Sequence, residues 1–204
     1  MSFPVDLTAA LSGASVAQLH SWRRTHLLEP EVQDNPVRYS FRDVVALRTF
    51  VYLRSKLPLQ RIRKAMDQLR KWDLTEHPAA YMLVTEGDSV FLVQEERAID
   101  LVRRPGQEVI YSLANVFAPF ENMQGRSVAD FRRPRPHLEV KQNRLGGWPT
   151  IQGTRVPYDA VAKLVAGGVA PAEVHRFYPT VEVSGAAVAA DFHQEVVQIG
   201  GRAA

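Results

Sequence analysis

The chain has 204 residues, 46% of them apolar and 23% charged, with a net charge of +3 and no cysteine. That balance is the one of a globular protein, and it excludes disulfides, thiolate metal centres and thiol nucleophiles. No apolar run approaches the roughly 18 residues a membrane span needs. The opening MSFPVDLTAALSG lacks the basic start and apolar core of a signal peptide, so a cytoplasmic chain with no membrane partner is expected.

Charge is unevenly spread: residues 1–72 hold 12 Lys/Arg against 6 Asp/Glu, and residues 73–204 hold 13 against 16. A basic N-terminal part suits a polyanion, although a basic helix can equally be a solvated one. Asp6 is placed to cap a helix over Leu7–Leu11, which Gly13 ends. Ser15 and Gln18 form a capping box at the start of a second helix, in which Val16, Leu19 and Trp22 recur on one apolar face. The short glycine-containing turn between these helices has helix-turn-helix spacing. In such a unit the second helix enters the major groove. Its outward residues are then Ser15, Ala17, Gln18 and Ser21, with His20, Arg23 and Arg24 nearer the backbone. Gln can pair bidentately with adenine, and Arg with guanine or phosphate. Trp22 falls on the apolar period and is assigned to the core.

Asp34-Asn35-Pro36 signals a turn between short extended pieces, which predicts a hairpin, or wing, carrying Arg38 and Tyr39. Ser40 and Asp43 cap a long helix with Val44, Leu47, Phe50 and Val51 on one side. Pro58 suits the first turn of a fourth helix. Leu59, Ile62, Met66 and Leu69 face inward there, Arg61, Arg63, Lys64, Arg70 and Lys71 face outward, and Trp72 anchors the end. The run SVAQLHSWRRTHLLEP, then RYSFRDVVALRTFVYLRSK and LPLQRIRKAMDQLRK, resembles the MerR-type winged helix-turn-helix family. The resemblance implies a homodimer on double-stranded DNA, with the second helix in the major groove and wing residues on phosphates. The chain departs from the family pattern at His20 and Trp22, where Arg and Tyr are usual, and at Arg38, one place after the usual wing arginine. It also lacks the long dimerising helix after Trp72, where Pro78 intervenes.

In residues 73–125, YMLVTEGDSVFLV reads as a β-hairpin turning at Glu86-Gly87-Asp88-Ser89. Ala98–Val102 and Val109–Val116 are further short pieces, broken at Arg104-Pro105-Gly106. An exposed apolar hairpin needs something to bury its face, so this segment either extends the wing domain or pairs with a second subunit, and a dimer contact is the favoured expectation. Residues 126–144 read as an Arg/Pro-rich linker. Arg132, Arg133 and Arg135 are available there for extra phosphate contact.

Residues 145–204 read as a third unit of three helices on a short strand pair. Thr150–Gln152 and Arg155–Val156 are extended around Gly153. Pro157 opens a helix burying Val161, Leu164 and Val165, and Pro171 opens one burying Val174 and Phe177. A last helix from about Gly185 buries Val188, Phe192 and Val196, a stripe that also suits dimerisation. The motif formed by Gly147, Pro149, Ile151, Gly153-Thr154-Arg155-Val156-Pro157, Ala166-Gly167-Gly168, Pro171, Glu173 and Tyr178-Pro179 resembles the family numbered 433 among domains of unknown function. That resemblance implies an antitoxin of the VapB type, in a type II toxin–antitoxin pair, whose partner is a PIN-like ribonuclease toxin. A toxin of that class is expected to have an acidic metal-binding cleft, which an antitoxin can block by inserting a basic side chain or by covering the entrance. The candidate contacts, to toxin or to a second subunit, are Arg155, Lys163, Arg176 and Phe192, with Arg202 on the tail. Arg155 has a second reading, as a local partner of Asp159.

The six histidines are scattered, without metal-ligand spacing, nucleophile elbow or phosphate loop beside them. No catalysis, metal or cofactor is expected. The overall expectation is a mainly α (α+β) chain: a winged helix-turn-helix over residues 1–72, the β-hairpin segment, the linker and the three-helix unit. It would bind its own promoter and hold a toxin. The alternative is a MerR-like regulator without a toxin, whose C-terminal unit serves dimerisation.

Overall fold

The computed structural model describes residues 2–201 apart from 33–34, 75, 81, 87–88, 95–96, 104, 106–107 and 111–115. The expected turns at Asp34, Gly87-Asp88 and Arg104 to Gly106, the end of the Val109–Val116 piece and the tail residue Arg202 involve residues outside that set.

The chain opens with strand β1 (Phe3–Pro4) and helix α1 (Val5–Ser12). Gly13 ends α1 with φ +80, returning its N–H to the Ala9 carbonyl at 2.9 Å. A glycine is required there because the left-handed conformation penalises a Cβ. A Cβ would also stand 2.6 Å from the Val128 side chain. Helix α2 (Val16–Arg24) begins with the expected box, Gln18 N–H donating to Ser15 Oγ and Ser15 N–H to Gln18 Oε1. Val16, Leu19 and Trp22 are buried, and Trp22 meets the Phe50 ring edge-on at 6.1 Å.

Strand β2 (Arg38–Tyr39) differs from expectation: it pairs with β1, Phe3 opposite Tyr39, and does not close a hairpin of its own. Among the described residues of the wing, 29–32 and 35–37 carry no strand and lead into that pairing. Helix α3 (Phe41–Lys56) starts with a second capping box at Ser40 and Asp43. It is buried nearly all round, through Val44, Ala46, Leu47, Phe50, Val51 and Leu53. Helix α4 (Leu59–Lys71) follows Pro58 and buries Ile62, Ala65, Met66 and Leu69.

The middle segment is a four-stranded antiparallel meander of β3 (Met82–Glu86), β4 (Ser89–Gln94), β5 (Arg97–Asp100) and β6 (Glu108–Ile110). Leu83, Val90 and Leu92 join the core beside α3 and α4, so the apolar face that suggested a dimer contact is covered by the chain itself.

Residues 126–144 do not behave as an exposed linker. Strand β8 (Ser127–Val128) pairs with β7 (Phe120–Glu121), and β9 (Leu138–Glu139) pairs with β10 (Thr150–Ile151). Val128, Phe131, Leu138 and Val140 are buried. The boundary expected at residue 145 therefore falls between two paired strands. Helices α5 (Tyr158–Ala166) and α6 (Val183–Gly201) pack on each other, with a 3-10 turn over Pro171–Arg176 between them. The second helix of this unit was expected to bury Phe177. Instead the N–H groups of Phe177 and Tyr178 both return to the Val174 carbonyl, which leaves Phe177 56% exposed and packs Tyr178 on the core.

Helix α6 also packs along α1, and Gly200 comes so near that a Cβ would stand 3.4 Å from that of Asp6. Phe3 and Trp148 stack their rings at 5.5 Å, and Phe41 and Phe131 at 5.8 Å. One apolar cluster consequently runs from Phe3 to Val196. No described helix is long and apolar enough to cross a membrane.

Candidate nucleic-acid interface

The exposed face of α2 is formed by Ala17, His20, Arg23 and Arg24, with Ser15, Gln18 and Ser21 half-buried. The guanidinium groups of Arg23 and Arg24 make no hydrogen bond or ion pair among the described residues. Both lie in the last turn, where cations also suit the helix dipole. Two arginines of α4 converge on this end. Arg63 donates to Thr25 Oγ1 at 3.0 Å, and Arg70 to the His26 carbonyl at 3.3 Å and to Asp67 at 2.9 Å. Thr25 Oγ1 in turn donates to the Ser21 carbonyl at 2.9 Å. The sequence placed Arg63 and Arg70 on the outside of α4 but did not bring them to the end of α2. Only the α2–α4 crossing does so.

Three of the expected contact residues are otherwise engaged. Gln18 uses its carboxamide oxygen on Ser15 N–H at 2.8 Å, so the two-point grip on adenine is not on offer while the cap is closed. Arg38 donates to the Ser2 carbonyl at 3.2 Å and ties down the N-terminal strand. Tyr39 is corrected outright: it is 1% exposed, because β2 pairs with β1 and packs against α1 and α3. Burial pushes its phenol up from the ordinary value, the Arg23 charge pulling the other way and Asp43 adding to the rise.

The wing loop is anchored at its base. Asp43, fully buried, accepts from the N–H groups of Ser40 at 2.7 Å and Glu31 at 3.1 Å, and Ser40 Oγ donates to Glu31 at 2.6 Å. His77 Nε2 lies 2.9 Å from Asp43 Oδ1, while His77 Nδ1 accepts from Ala79 N–H at 3.1 Å. Donor atoms of Glu31, Asp43 and His77 lie within 4.8 Å of one another, a spacing a metal ion can use. The hydrogen bonds argue otherwise. A Nδ1 that accepts leaves the ring proton on Nε2, which donates to Asp43 and has no lone pair for an ion. The trio is a lock that joins the wing to α3 and to the segment after α4. A groove of about 360 Å³ separates this wing from α2, between His20 and Val16 on one side and Pro36 to Arg38 on the other.

In the C-terminal unit, Arg155 is exposed and makes no hydrogen bond or ion pair among the described residues. Asp159, its anticipated partner, instead accepts from Trp148 Nε1 at 2.9 Å and Lys163 at 3.1 Å. Arg176 pairs with Glu173 at 3.0 Å. Phe192 is corrected: at 2% exposure it offers no contact surface, because α6 turns it onto the Tyr158 ring at 5.0 Å. Val196 is buried with it, so exposed apolar surface on this unit comes from Phe177, Val183 and Val197.

Two helices joined by a short glycine turn, with a wing loop and a packed C-terminal helical unit, define a helix-turn-helix protein with an appended C-terminal domain. Residues 4–69 match the MerR family of helix-turn-helix regulatory proteins, and residues 138–192 match the protein family of unknown function numbered 433. The chain thus carries a MerR-type helix-turn-helix at its N-terminus and a domain of that second family at its C-terminus. It is similar in fold to the crystal structure of Rv2018 from Mycobacterium tuberculosis, at 15% identity and a TM-score of 0.53, over 92% of this chain and 95% of that one. None of the curated proteins matches it.

Proposed function

We propose that the chain is a DNA-binding antitoxin that regulates its own promoter as a homodimer and neutralises a PIN-like ribonuclease toxin. The observation that carries the DNA half is the exposed, uncommitted pair Arg23 and Arg24, joined by Arg63 and Arg70, on the second helix of a MerR-type helix-turn-helix. For the toxin half, support comes from Arg155. It directly follows the Gln152-Gly153 turn, which Thr154 closes by donating both its N–H and its hydroxyl to the Ile151 carbonyl at 3.0 Å. Lys163 and Arg176 are already paired, so Arg155 is the basic group best able to enter an acidic cleft. The competing reading, a regulator without a toxin that dimerises through its last helix, loses Phe192 and Val196 to the core.

The DNA half is tested with duplexes recovered from a random-sequence pool by the full-length protein. Arg23→Gln is expected to weaken binding to every recovered sequence and to lower the dependence of log affinity on log salt by about two, one phosphate contact from each protomer of the dimer. Ser21→Ala is expected to change which sequences are preferred. Affinity, salt slope and preference all unchanged in both variants would remove α2 from the interface.

A further inference from the structure

The β7–β8 hairpin meets the turn between α1 and α2 at Gly13, and neither the helix-turn-helix nor the C-terminal unit accounts for it. Its base is held on both sides. Phe120 lies edge-on to Tyr52 at 5.3 Å with the Arg48 guanidinium 5.0 Å over its face, and Val128 fills the space that the missing Cβ of Gly13 leaves. The tip is equally fixed. Asn122 is buried, and its Oδ1 accepts from the N–H groups of Gln124 at 3.0 Å and Arg126 at 3.1 Å. Gly125 turns the chain with φ +70 and N–H to the Asn122 carbonyl at 2.9 Å, and nothing lies within 4 Å of where its Cβ would be.

What this rigid turn presents is unusual for an exposed loop. Met123 is 49% exposed, and Gln124 and Arg126 are exposed beside it. The Arg126 guanidinium makes no hydrogen bond or ion pair among the described residues. A cleft of about 630 Å³ separates the tip from the start of α2, with Ala14, Ser15 and Ala17 on one wall and Asn122, Arg126 and Val128 on the other. The other charges near it are committed or set back. Arg135 pairs with Glu195, and Glu121 sits one strand pair below the turn, opposite Ser127.

We propose that the β7–β8 hairpin is a second DNA-contacting element, reaching the sugar–phosphate backbone beside the groove that α2 enters. Arg126 takes a phosphate, and Met123 lies against the neighbouring deoxyriboses. This rests on α2 being the reading helix: a duplex that receives its first turn passes its backbone in front of the tip, across the cleft. The Val128–Gly13 contact fixes the distance between the two elements, so the hairpin lengthens the site without needing to move. Backbone contacts of this kind position a protein and carry no base code.

The test uses the full chain and the same recovered duplexes, with affinity measured over a salt series and the site mapped by hydroxyl-radical footprinting. Arg126→Gln is expected to weaken binding by about 3- to 10-fold and to lower the salt slope by about two, one phosphate contact from each protomer of the dimer. It should erase protection at the corresponding edge of each half-site while the preferred sequence stays the same. Thermal unfolding should not shift, since the side chain is exposed and unpartnered. If Arg126→Gln keeps the affinity, slope and footprint while Arg23→Gln weakens binding, the hairpin is no contact and the α2 reading survives. If both variants bind as the unaltered chain does, or no duplex is recovered, the α2 reading fails and this proposal with it.

Discussion

Replacing Arg48 by leucine is expected to cost about 4 kcal/mol or more of folding stability, at the exceptional end for one side chain. Arg48 sits in the middle of α3, 1% exposed, and donates to five carbonyl oxygens: Leu11, Val116, Phe117, Ala118 and Ala129. Its guanidinium also lies over the Phe120 and Phe131 rings at 5.0 and 5.6 Å. Burial drives its pKa down to about 10, with Asp130 offsetting part of the fall, so it stays charged at neutral pH. The Leu11 carbonyl belongs to the last turn of α1, where no helical donor remains for it. Leucine fills space but supplies no donor, and each buried acceptor left dry costs about 1–3 kcal/mol before water and relaxation recover some of it. Lysine keeps the charge, yet its three donors on one nitrogen cannot span five acceptors from two segments. Urea unfolding reads the result, and an unfolding free energy for Arg48→Leu within about 1 kcal/mol of the unaltered chain would show that the cage is incidental.

Gly147→Ala is expected to cost about 3 kcal/mol, the sum of a left-handed conformation and an overlap. Gly147 has φ +85, and a Cβ there would lie 2.0 Å from the Phe41 ring. Phe41 is the first residue of α3, so a glycine of the C-terminal motif sets how closely that unit seats on the DNA-reading head. Gly153 serves as the comparison. It has φ +77 but open space around its Cβ position, so Gly153→Ala carries the backbone cost alone, about 1–2 kcal/mol. Thermal or urea unfolding of the two variants side by side checks this. Equal losses would mean that the Phe41 ring swings aside freely.

The local grammar of the head was legible because it is written within a few residues. Ser15 with Gln18 and Ser40 with Asp43 each satisfy free helix N–H groups three residues away, and Trp22 falls on the period of Val16 and Leu19. What was not legible depends on partners far along the chain. Arg48 looks like a surface charge on an amphipathic helix until residues 116–129 bring their carbonyls to it. Tyr39 looks like a wing residue until β2 pairs with β1, whose two residues are too few to read as a strand. In residues 126–144 the buried Phe131, Leu138 and Val140 are diluted by arginine and proline, so composition suggested a linker where the chain threads the core. The same limit applied to the candidate site. Helix α2 and the outward placement of Arg23 and Arg24 followed from the sequence, whereas Arg63, Arg70 and the β7–β8 hairpin reach it only through tertiary packing.

Because α6 packs on α1, removing the C-terminal unit would also strip cover from the head, and truncation is a poor test of what that unit binds. The direct measurement is co-expression of the full-length chain, carrying the only tag, with the adjacent open reading frame, for the unaltered protein and for Arg155→Glu. A small ribonuclease is expected to co-purify stoichiometrically with the unaltered chain and to be lost from Arg155→Glu, while both retain the recovered duplex. A chain that purifies alone and still binds that duplex would contradict the antitoxin reading and leave a DNA-binding regulator.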